Sequence, residues 1–149
     1  MATVESKQPC FFWLDLEMTG LDPANDRILE AGVIVTDASW NELHTWESAV
    51  HQPPETLASM NDWCQKHHRE SGLLARVPEG ISEVELDRAL AACCRNYWGD
   101  IPVILCGNSI HQDRRFVDRW LPEFAACLHY RMLDVSSFKV VFSELYGIT

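Results

Sequence analysis

The sequence predicts a mixed α/β domain, in which an antiparallel three-strand meander is extended by parallel strands and flanked by helices. One observation is a run of three apolar, strand-like segments separated by short stretches of turn-forming residues. Another is the alternation of helical and strand patterns that follows, giving the order βββ-α-β-α-β-α. Strands that follow a helix commonly return parallel through right-handed crossovers, so we expect the later strands to add to one side of the meander.

The predicted meander occupies the first third of the chain. We expect its strands over residues 10–16, 27–36 and 44–51, where apolar and β-branched residues are concentrated. The connections 22–26 and 37–39 are rich in Asp, Asn, Ser and Pro, which favour turns. Short connections between successive strands predict antiparallel pairing.

The rest of the chain predicts alternating helices and strands. Ser82 and Glu85 form a capping box, and the apolar residues behind it recur at helical spacing as far as Gly99. Residues 61–72 are polar and mixed and predict no element. The other predicted elements are a short helix over 55–60, a strand over 102–106, a helix over 112–120, a strand over 130–135 and a helix over 136–146.

Size and composition indicate a single globular domain. The chain has 149 residues, of which 47% are hydrophobic and 23% charged, a balance that excludes a disordered protein. Its 22 acidic and 12 basic residues give a net charge of −10, which argues against a broad basic surface for long nucleic acids. An acidic protein can still bind a short phosphodiester through metal ions and a few Arg side chains.

The six cysteines contain no C-x-x-C pair, which argues against a zinc cluster and favours reduced thiols in a reducing compartment. No apolar segment is long enough to span a membrane, and we find no targeting segment. We therefore expect a cytoplasmic protein without membrane partners. Residues 1–9 are expected to form an N-terminal tail, and residues 10–149 the domain.

Two carboxylates close the first predicted strand. Asp15 and Glu17 are two residues apart, so on a strand both side chains point to the same face, at the carboxyl end where α/β sheets bind ligands. Like charges this close are stabilised by a cation, and oxygen-only ligands suit Mg²⁺ or Mn²⁺. On its own, this D-x-E pattern is also compatible with a solvated strand edge.

Asp113 is the candidate third acid. It lies in a polar turn between a predicted buried strand and a helix. An Asp at this position is also a common helix cap, so the residue alone does not decide between the two roles.

Seven segments form one pattern from about residue 11 onward, and they are DLEMTGLD at 15–22, DW at 62–63, SGL at 71–73, GNS at 107–109, QDRRF at 112–116, HYR at 129–131 and LDVS at 133–136. Taken together, they closely resemble the oligoribonuclease family. The resemblance implies a 3′→5′ exoribonuclease of the DEDDh group on a ribonuclease H-like fold. The chain looks more like the eukaryotic branch of that family, whose members are cytosolic or mitochondrial.

The resemblance implies roles for ten residues. Asp15, Glu17 and Asp113 would hold two Mg²⁺ or Mn²⁺ ions, and the substrate would be very short single-stranded RNA. The residues implied in substrate binding are Leu21 as a wedge between bases, Trp63 as a base platform, Ser109 and Gln112 beside the scissile bond, and Tyr130, Arg131 and Ser136 in a 5′-phosphate cap across a homodimer. Judged by residue type alone, Trp63 is a core residue and Arg131 is equally compatible with a solvated strand end.

The family pattern also requires a His general base and a fourth acid five residues later, on a C-terminal helix. His129 and Asp134 have this spacing, but they lie in the segment that the resemblance assigns to phosphate contacts, so we reject them. The other histidines are interpreted as surface or local hydrogen-bonding residues. We therefore expect the general base and the fourth acid to be absent, and the exonuclease domain over 10–149 to be C-terminally incomplete.

Two alternatives to an exoribonuclease stay open at this stage. The first is a non-catalytic, dimerising module that binds dinucleotides or metal through the same residues. The second is a globular protein whose acids fall together by chance. Metal binding that depends on Asp15 would exclude the second alternative.

Overall fold

The computed structural model describes residues 8–148, which form five strands, seven α-helices and one 3₁₀ turn. The strands are β1 (Pro9–Met18), β2 (Ile28–Asp37), β3 (Glu42–Ala49), β4 (Val103–Gly107) and β5 (Leu128–Asp134). The helices are α1 (Pro54–Ala58), α2 (Asp62–Glu70), α3 (Leu73–Arg76), α4 (Glu83–Trp98), α5 (Ile110–Trp120), α6 (Pro122–Cys127) and α7 (Val135–Tyr146), and the 3₁₀ turn is Val77–Glu79.

The strands form one mixed sheet in the order β3-β2-β1-β4-β5. The pairs β1–β2 and β2–β3 are antiparallel, whereas β1–β4 and β4–β5 are parallel. This confirms the predicted α/β fold class, with an antiparallel meander extended by parallel strands. The two parallel additions place the carboxyl ends of β1, β4 and β5 at the same edge of the sheet.

One face of the sheet holds the main core. Alternate residues of β1, namely Phe12, Leu14 and Leu16, are buried against this layer, as the strand period of two requires. Helix α4 contributes the apolar stripe that begins at its capping box, which the structure contains with both hydrogen bonds formed. Helix α5 packs against the same layer through Phe116 and Val117. Burial on this scale fixes β1 and α5 relative to each other.

A second, smaller core supports helix α2. It joins the start of β2 to the α1–α3 region through Leu29, Met60, Cys64 and Leu73. Helix α2 is capped by Asn61, whose side chain accepts a hydrogen bond from the backbone N–H of Cys64 at 2.8 Å. The sequence interpretation assigned no element here, because the inward face of α2 consists of Cys64 and His68 and has no apolar stripe. Helix α6 was also missed, since Pro122 was interpreted as a stop and is the first residue of a new helix.

The structure describes the C-terminal helix α7 but not the first seven residues. Residues 1–7 of the predicted N-terminal tail lie outside the described residues, and Pro9 already belongs to β1. Helix α7 is described along its length and has no buried residue. Its large apolar side chains are exposed, and they are Phe138, Val140, Val141, Phe142, Leu145 and Tyr146. Within residues 8–148, no helix is both long enough and apolar enough to cross a membrane.

Candidate active site

Strand β1 presents the two predicted acids on the sheet face opposite the main core. Since Leu14 and Leu16 are buried, the period of two directs Asp15 and Glu17 to the other face. Asp15 is exposed and Glu17 is half-buried. The register sets Asp15 opposite Gly32 of β2, which has no side chain to cover the Asp15 carboxylate.

Asp113 joins this pair from the first turn of α5. Only 7% of it is exposed, and its Oδ1 accepts a hydrogen bond from the backbone N–H of Leu16 at 2.9 Å. Because Leu16 lies between Asp15 and Glu17, this bond places the third carboxylate beside the first two. The structure therefore brings together the three acids that the sequence analysis selected, and their role as metal ligands stays a prediction.

The close connection from β4 to α5 makes this position possible. A Cβ on Gly107 would lie 2.8 Å from the Leu14 carbonyl oxygen and 2.8 Å from Cδ1 of Ile110, so the backbone approach requires glycine. Ser109 follows in the left-handed region, with φ of 52° and ψ of 38°, and turns the chain into the helix. The result is a tight turn that carries Asp113 towards β1.

The three carboxylates form an unfavourable electrostatic cluster without a cation. Burial raises the pKa of Asp113 to about 6, although the Leu16 N–H lowers it, and Asp15 and Glu17 raise it further. Partial desolvation of its carboxylate also raises the pKa of Asp15, with a further contribution from the negative charge of Glu30. The pKa of Glu17 rises through burial and then through the charge of Asp15. A divalent cation would reverse these effects, and the all-oxygen donor set fits Mg²⁺ or Mn²⁺.

Glu30 is a nearby acid that the sequence analysis missed. It lies on β2 directly opposite Glu17, an arrangement of like charges that destabilises a sheet. Its carboxylate forms an ion pair with Arg76, which offsets part of this repulsion. The period-two pattern of β2 could have placed Glu30 on the same face as Glu17, but the cross-strand register requires knowledge of the turn.

Two open cavities lie on either side of the acid pair. One, of about 600 Å³, borders Asp15 and extends over Trp13 and Trp46 towards Asn108. The other, of about 500 Å³, borders Glu17. Each carboxylate can therefore be approached from solvent, as binding of a substrate requires.

The predicted wedge and platform residues line the second cavity. Leu21 is 68% exposed and Trp63 is 69% exposed, so both present apolar surface beside Glu17. The assignment of Trp63 to the core, which residue type alone had favoured, is wrong, because the inward face of α2 is the one that carries Cys64 and His68. Exposed aromatic residues of this kind suit stacking with a nucleobase.

Ser109 and Gln112 lie at the start of α5, one turn or less from Asp113. The backbone N–H of Ser109 donates to Oδ1 of Asp134 at 2.8 Å, and Oε1 of Gln112 accepts from Arg115 at 3.2 Å. Both residues are therefore close to Asp113 along the chain, at the turn that the sequence predicted.

Asp134 joins the end of β5 to this turn. Its Oδ1 also accepts hydrogen bonds from the backbone N–H of Ser136 at 2.8 Å and from the Ser136 hydroxyl at 2.6 Å. These bonds cap α7, so Asp134 has a structural role. His129 is engaged locally as well, since its Nδ1 accepts from the Arg131 N–H at 2.9 Å. The rejected pair thus has local partners at both positions.

Tyr130 and Arg131 are not gathered around the acids. They lie on β5, two strands away from β1. In the strand register, Met132 of β5 pairs with Leu105 of β4, and Leu105 pairs with Phe12 of β1. Tyr130 and Arg131 are therefore nearer the amino end of β1 than Asp15 is, and both are exposed. The predicted 5′-phosphate cap is not assembled with the acid cluster within one chain.

Comparison with known proteins identifies the family. A family model described as exonuclease (RNase_T) matches residues 12–148. The chain is 48% identical over 129 residues to an oligoribonuclease of Burkholderia lata and spans 63% of that protein's length. It is 44% identical over 129 residues to the oligoribonuclease of Chromobacterium violaceum and over 131 residues to that of Coxiella burnetii, spanning 71% and 72% of their lengths. These three matches cover 85–87% of the chain.

Solved structures support the same fold. A product-bound exonuclease I superposes with a TM-score of 0.72 at 15% identity, and the match covers 94% of this chain and 33% of that one. An apo exonuclease I gives a TM-score of 0.73 at 14% identity, with 94% and 32% covered. At such identities, the likeness concerns the fold alone. The family match and the similarity to three oligoribonucleases show that this chain belongs to the oligoribonuclease family of exonuclease domains.

Proposed function

We propose that this chain acts in the metal-dependent 3′→5′ hydrolysis of very short RNA, of two to about five nucleotides, releasing 5′-mononucleotides. The observation that carries the proposal is the convergence of Asp15, Glu17 and Asp113 at the open carboxyl edge of the sheet. Membership of a family whose relatives are named oligoribonucleases supports the choice of substrate.

Three acids would hold the cations. Asp15, Glu17 and Asp113 offer carboxylate oxygens only, which suits two Mg²⁺ or Mn²⁺ ions. When bound, such a pair stabilises the charge that develops on the attacking and leaving oxygens. In the reaction, a water oxygen bonds to phosphorus while the bond to the 3′ oxygen of the preceding nucleotide breaks. The leaving oxygen takes up a proton and the water loses one.

Substrate would lie across the cavity beside Glu17. Leu21 separates two neighbouring bases, and Trp63 stacks on one of them, an interaction worth about 1–3 kcal/mol per base. Ser109 and Gln112 flank the scissile bond from the turn before Asp113. The exposure of Leu21 and Trp63 beside Glu17 supports these roles.

The 5′ end would be bound by a second copy of the chain. The β5–α7 region contains Tyr130, Arg131 and Ser136. Tyr130 and Arg131 lie near the amino end of β5, too far from the acids of their own chain to reach them. A homodimer that sets β5 and α7 of one protomer against the site of its partner would complete the phosphate cap. The planar Arg131 guanidinium suits bidentate phosphate binding.

A general base is not assigned to any residue of this chain. His129 and Asp134 are the one His/Asp pair with the family spacing, and both accept hydrogen bonds from backbone N–H groups, His129 from Arg131 and Asp134 from Ser109. A general base typically contributes about 10²–10⁴ in rate, so we propose that the chain alone hydrolyses RNA slowly.

Diribonucleotide cleavage in Mn²⁺ tests this proposal. The chain is compared with a version extended by the C-terminal residues of the Burkholderia lata relative, and mononucleotides are quantified by chromatography. We expect the extended chain to cleave at least about 10²-fold faster. Asp15→Asn in the extended chain should abolish cleavage and weaken Mn²⁺ binding in calorimetry, whereas Asp100→Asn, at an exposed acid after α4, should change neither.

Three results would overturn parts of the proposal. Rapid cleavage by the unextended chain would contradict the missing base. An extended chain that binds Mn²⁺ and dinucleotide without cleaving would exclude the enzyme and favour the non-catalytic binding module. Unchanged Mn²⁺ binding in Asp15→Asn would exclude a metal role for the acid cluster.

A further inference from the structure

His67 and His68 of α2 line, together with Glu17, the cavity of about 500 Å³. One potential ligand atom from each of these three side chains lies within 4.8 Å of the other two. This group differs from the three-acid cluster in chemistry, since two of its three donors are imidazole nitrogens. It also differs in position, because α2 contributes it from the second core and not from α5.

His68 has a nitrogen without a partner. The residue is 3% exposed, and its Nε2 lies 2.9 Å from the Met18 carbonyl oxygen. A carbonyl only accepts, so Nε2 donates its N–H to it and Nδ1 is the ring nitrogen that faces Glu17. This buried Nδ1 has no hydrogen-bond partner and lies 4.0 Å from Oε2 of Glu17. A buried nitrogen without a partner is unfavourable, and a metal ion between Nδ1 and the Glu17 carboxylate would supply one.

His67 is held in position by packing. Its ring stacks on Trp63, with ring centroids 4.9 Å apart and planes 7° from parallel. It also meets the His68 ring edge-on at 5.4 Å. His67 therefore forms the exposed side of the group, and the two ring contacts orient its imidazole before an ion binds. This orientation lowers the entropy lost on binding a ligand.

We propose that Glu17, His67 and His68 bind a divalent metal of the Zn²⁺ type, with water in the fourth position. Two imidazoles and one carboxylate are a common donor set for such ions, whereas Mg²⁺ prefers oxygen alone. The bond from Nε2 of His68 to a backbone carbonyl is the outer contact that metal-bound histidines usually make. With Zn–N bonds of about 2.0–2.1 Å, the Nδ1–Oε2 distance would shorten by less than about 1 Å.

The site has a consequence that rests on the proposed function. Glu17 belongs to both metal-binding groups, so a Zn²⁺ ion bound to its Oε2 competes with the oxygen-bound pair held by Asp15 and Asp113. The same ion fixes His67 and, through the ring stack, Trp63. Zn²⁺ therefore acts as an inhibitor of hydrolysis while occupying a site next to the predicted base platform.

Cobalt spectroscopy tests the site without relying on activity. Co²⁺ replaces Zn²⁺ in nitrogen-rich sites, and four-coordinate Co²⁺ absorbs visible light far more strongly than six-coordinate Co²⁺. The chain is titrated with Co²⁺ without Mg²⁺ and again in excess Mg²⁺, which should weaken the apparent Co²⁺ affinity because both ions use Glu17. We expect a saturable absorption band at one equivalent, abolished by Zn²⁺. His67→Ala should weaken Co²⁺ binding at least about tenfold, and His51→Ala, at another exposed histidine, should leave it unchanged.

The remaining variants separate the two sites. Asp113→Asn should keep the Co²⁺ band, and His68→Asn should lose it, with circular dichroism confirming that the variant is folded. A band that is absent, or that survives His67→Ala, would overturn the proposal. A band lost in Asp113→Asn but not in His67→Ala would assign the ion to the acid cluster. A band without any RNA cleavage by the extended chain would leave this site in place and reject the hydrolytic function instead.

Discussion

The carboxyl edge of β1 and the β5–α7 region differ in how their candidate functional side chains are held in position. At the edge of β1, the charged groups are held by a packed core, since Leu16 is buried and its N–H bonds Asp113. In β5, Tyr130 and Arg131, which are predicted to bind substrate, are exposed, and helix α7 has no buried residue. The packed core therefore fixes the geometry of the first region, whereas the second exposes apolar surface of the kind that marks a contact surface.

The largest expected difference between the two regions is in stability. Phe116 is fully buried between α5 and the sheet, so Phe116→Ala should lower the free energy of unfolding by about 3–5 kcal/mol. Phe138 of α7 is exposed, so Phe138→Ala should change it by less than about 0.5 kcal/mol. Urea denaturation measures both variants. A large loss for Phe138→Ala would show that α7 is packed in solution, and the contrast between the regions would disappear.

The sequence predicted the strands and the turn at the carboxyl edge of β1 well, because their sequence signals are local. The period of two in β1 places Asp15 and Glu17 on one face, and the turn from Gly107 predicts a helix that begins close to Asp113. The predicted strands differ from those in the structure by one or two residues at each end. What sequence patterns could not give is the contact between Asp113 and Leu16, which are 97 residues apart.

Helix α2 and Glu30 were missed for a related reason. Helix α2 buries a histidine and a cysteine, so a search for apolar periodicity finds no stripe, and Trp63 on its other face looks like the core residue. The placement of Glu30 opposite Glu17 depends on the length and geometry of a turn. In each case, the position of a polar residue decides the structure, and the pattern of hydrophobic residues does not predict that position.

The second prediction concerns the charge of Asp113. Its folded-state pKa of about 6 is higher than its ordinary value of 3.8, so the folded protein binds this proton more tightly than the unfolded chain. The resulting stability is fully present below about pH 4 and is lost as the pH rises through 6. Without metal, Asp113→Asn should therefore raise the free energy of unfolding at pH 7 by about 1–3 kcal/mol, while keeping the acceptor for the Leu16 N–H.

Denaturation at pH 5 and at pH 7 measures this effect. The gain from Asp113→Asn should be smaller at pH 5, and Asp100→Asn serves as the exposed-acid control. Mn²⁺ should stabilise the unsubstituted chain more than Asp113→Asn. An equal stabilisation by Mn²⁺ would show that Asp113 does not contact the ion, and the carboxyl edge of β1 would then be a structural network alone.

The third prediction asks what covers α7. If the helix forms part of a homodimer interface, Phe142→Lys should weaken self-association at least about tenfold, because a charge would enter an apolar contact. Sedimentation velocity over a range of concentrations measures the association. Lys139→Ala, on the same helix, is the matched control for a change of charge. A monomer at every concentration would reject the dimer and leave the phosphate cap without its second copy.

The last and smallest effect tests the connection between the two regions. Asp134 caps α7 through Ser136 and also accepts from the N–H of Ser109, in the turn before Asp113. Asp134→Ala should therefore cost about 1 kcal/mol of stability, the usual value of a lost N-cap, against no measurable change in Lys139→Ala. If the regions are coupled, amide exchange should accelerate in α7 and also in the turn after β4. Acceleration confined to α7 would mean that packing alone positions Asp113, so that the exposed region could rearrange on binding a partner without disturbing the acids.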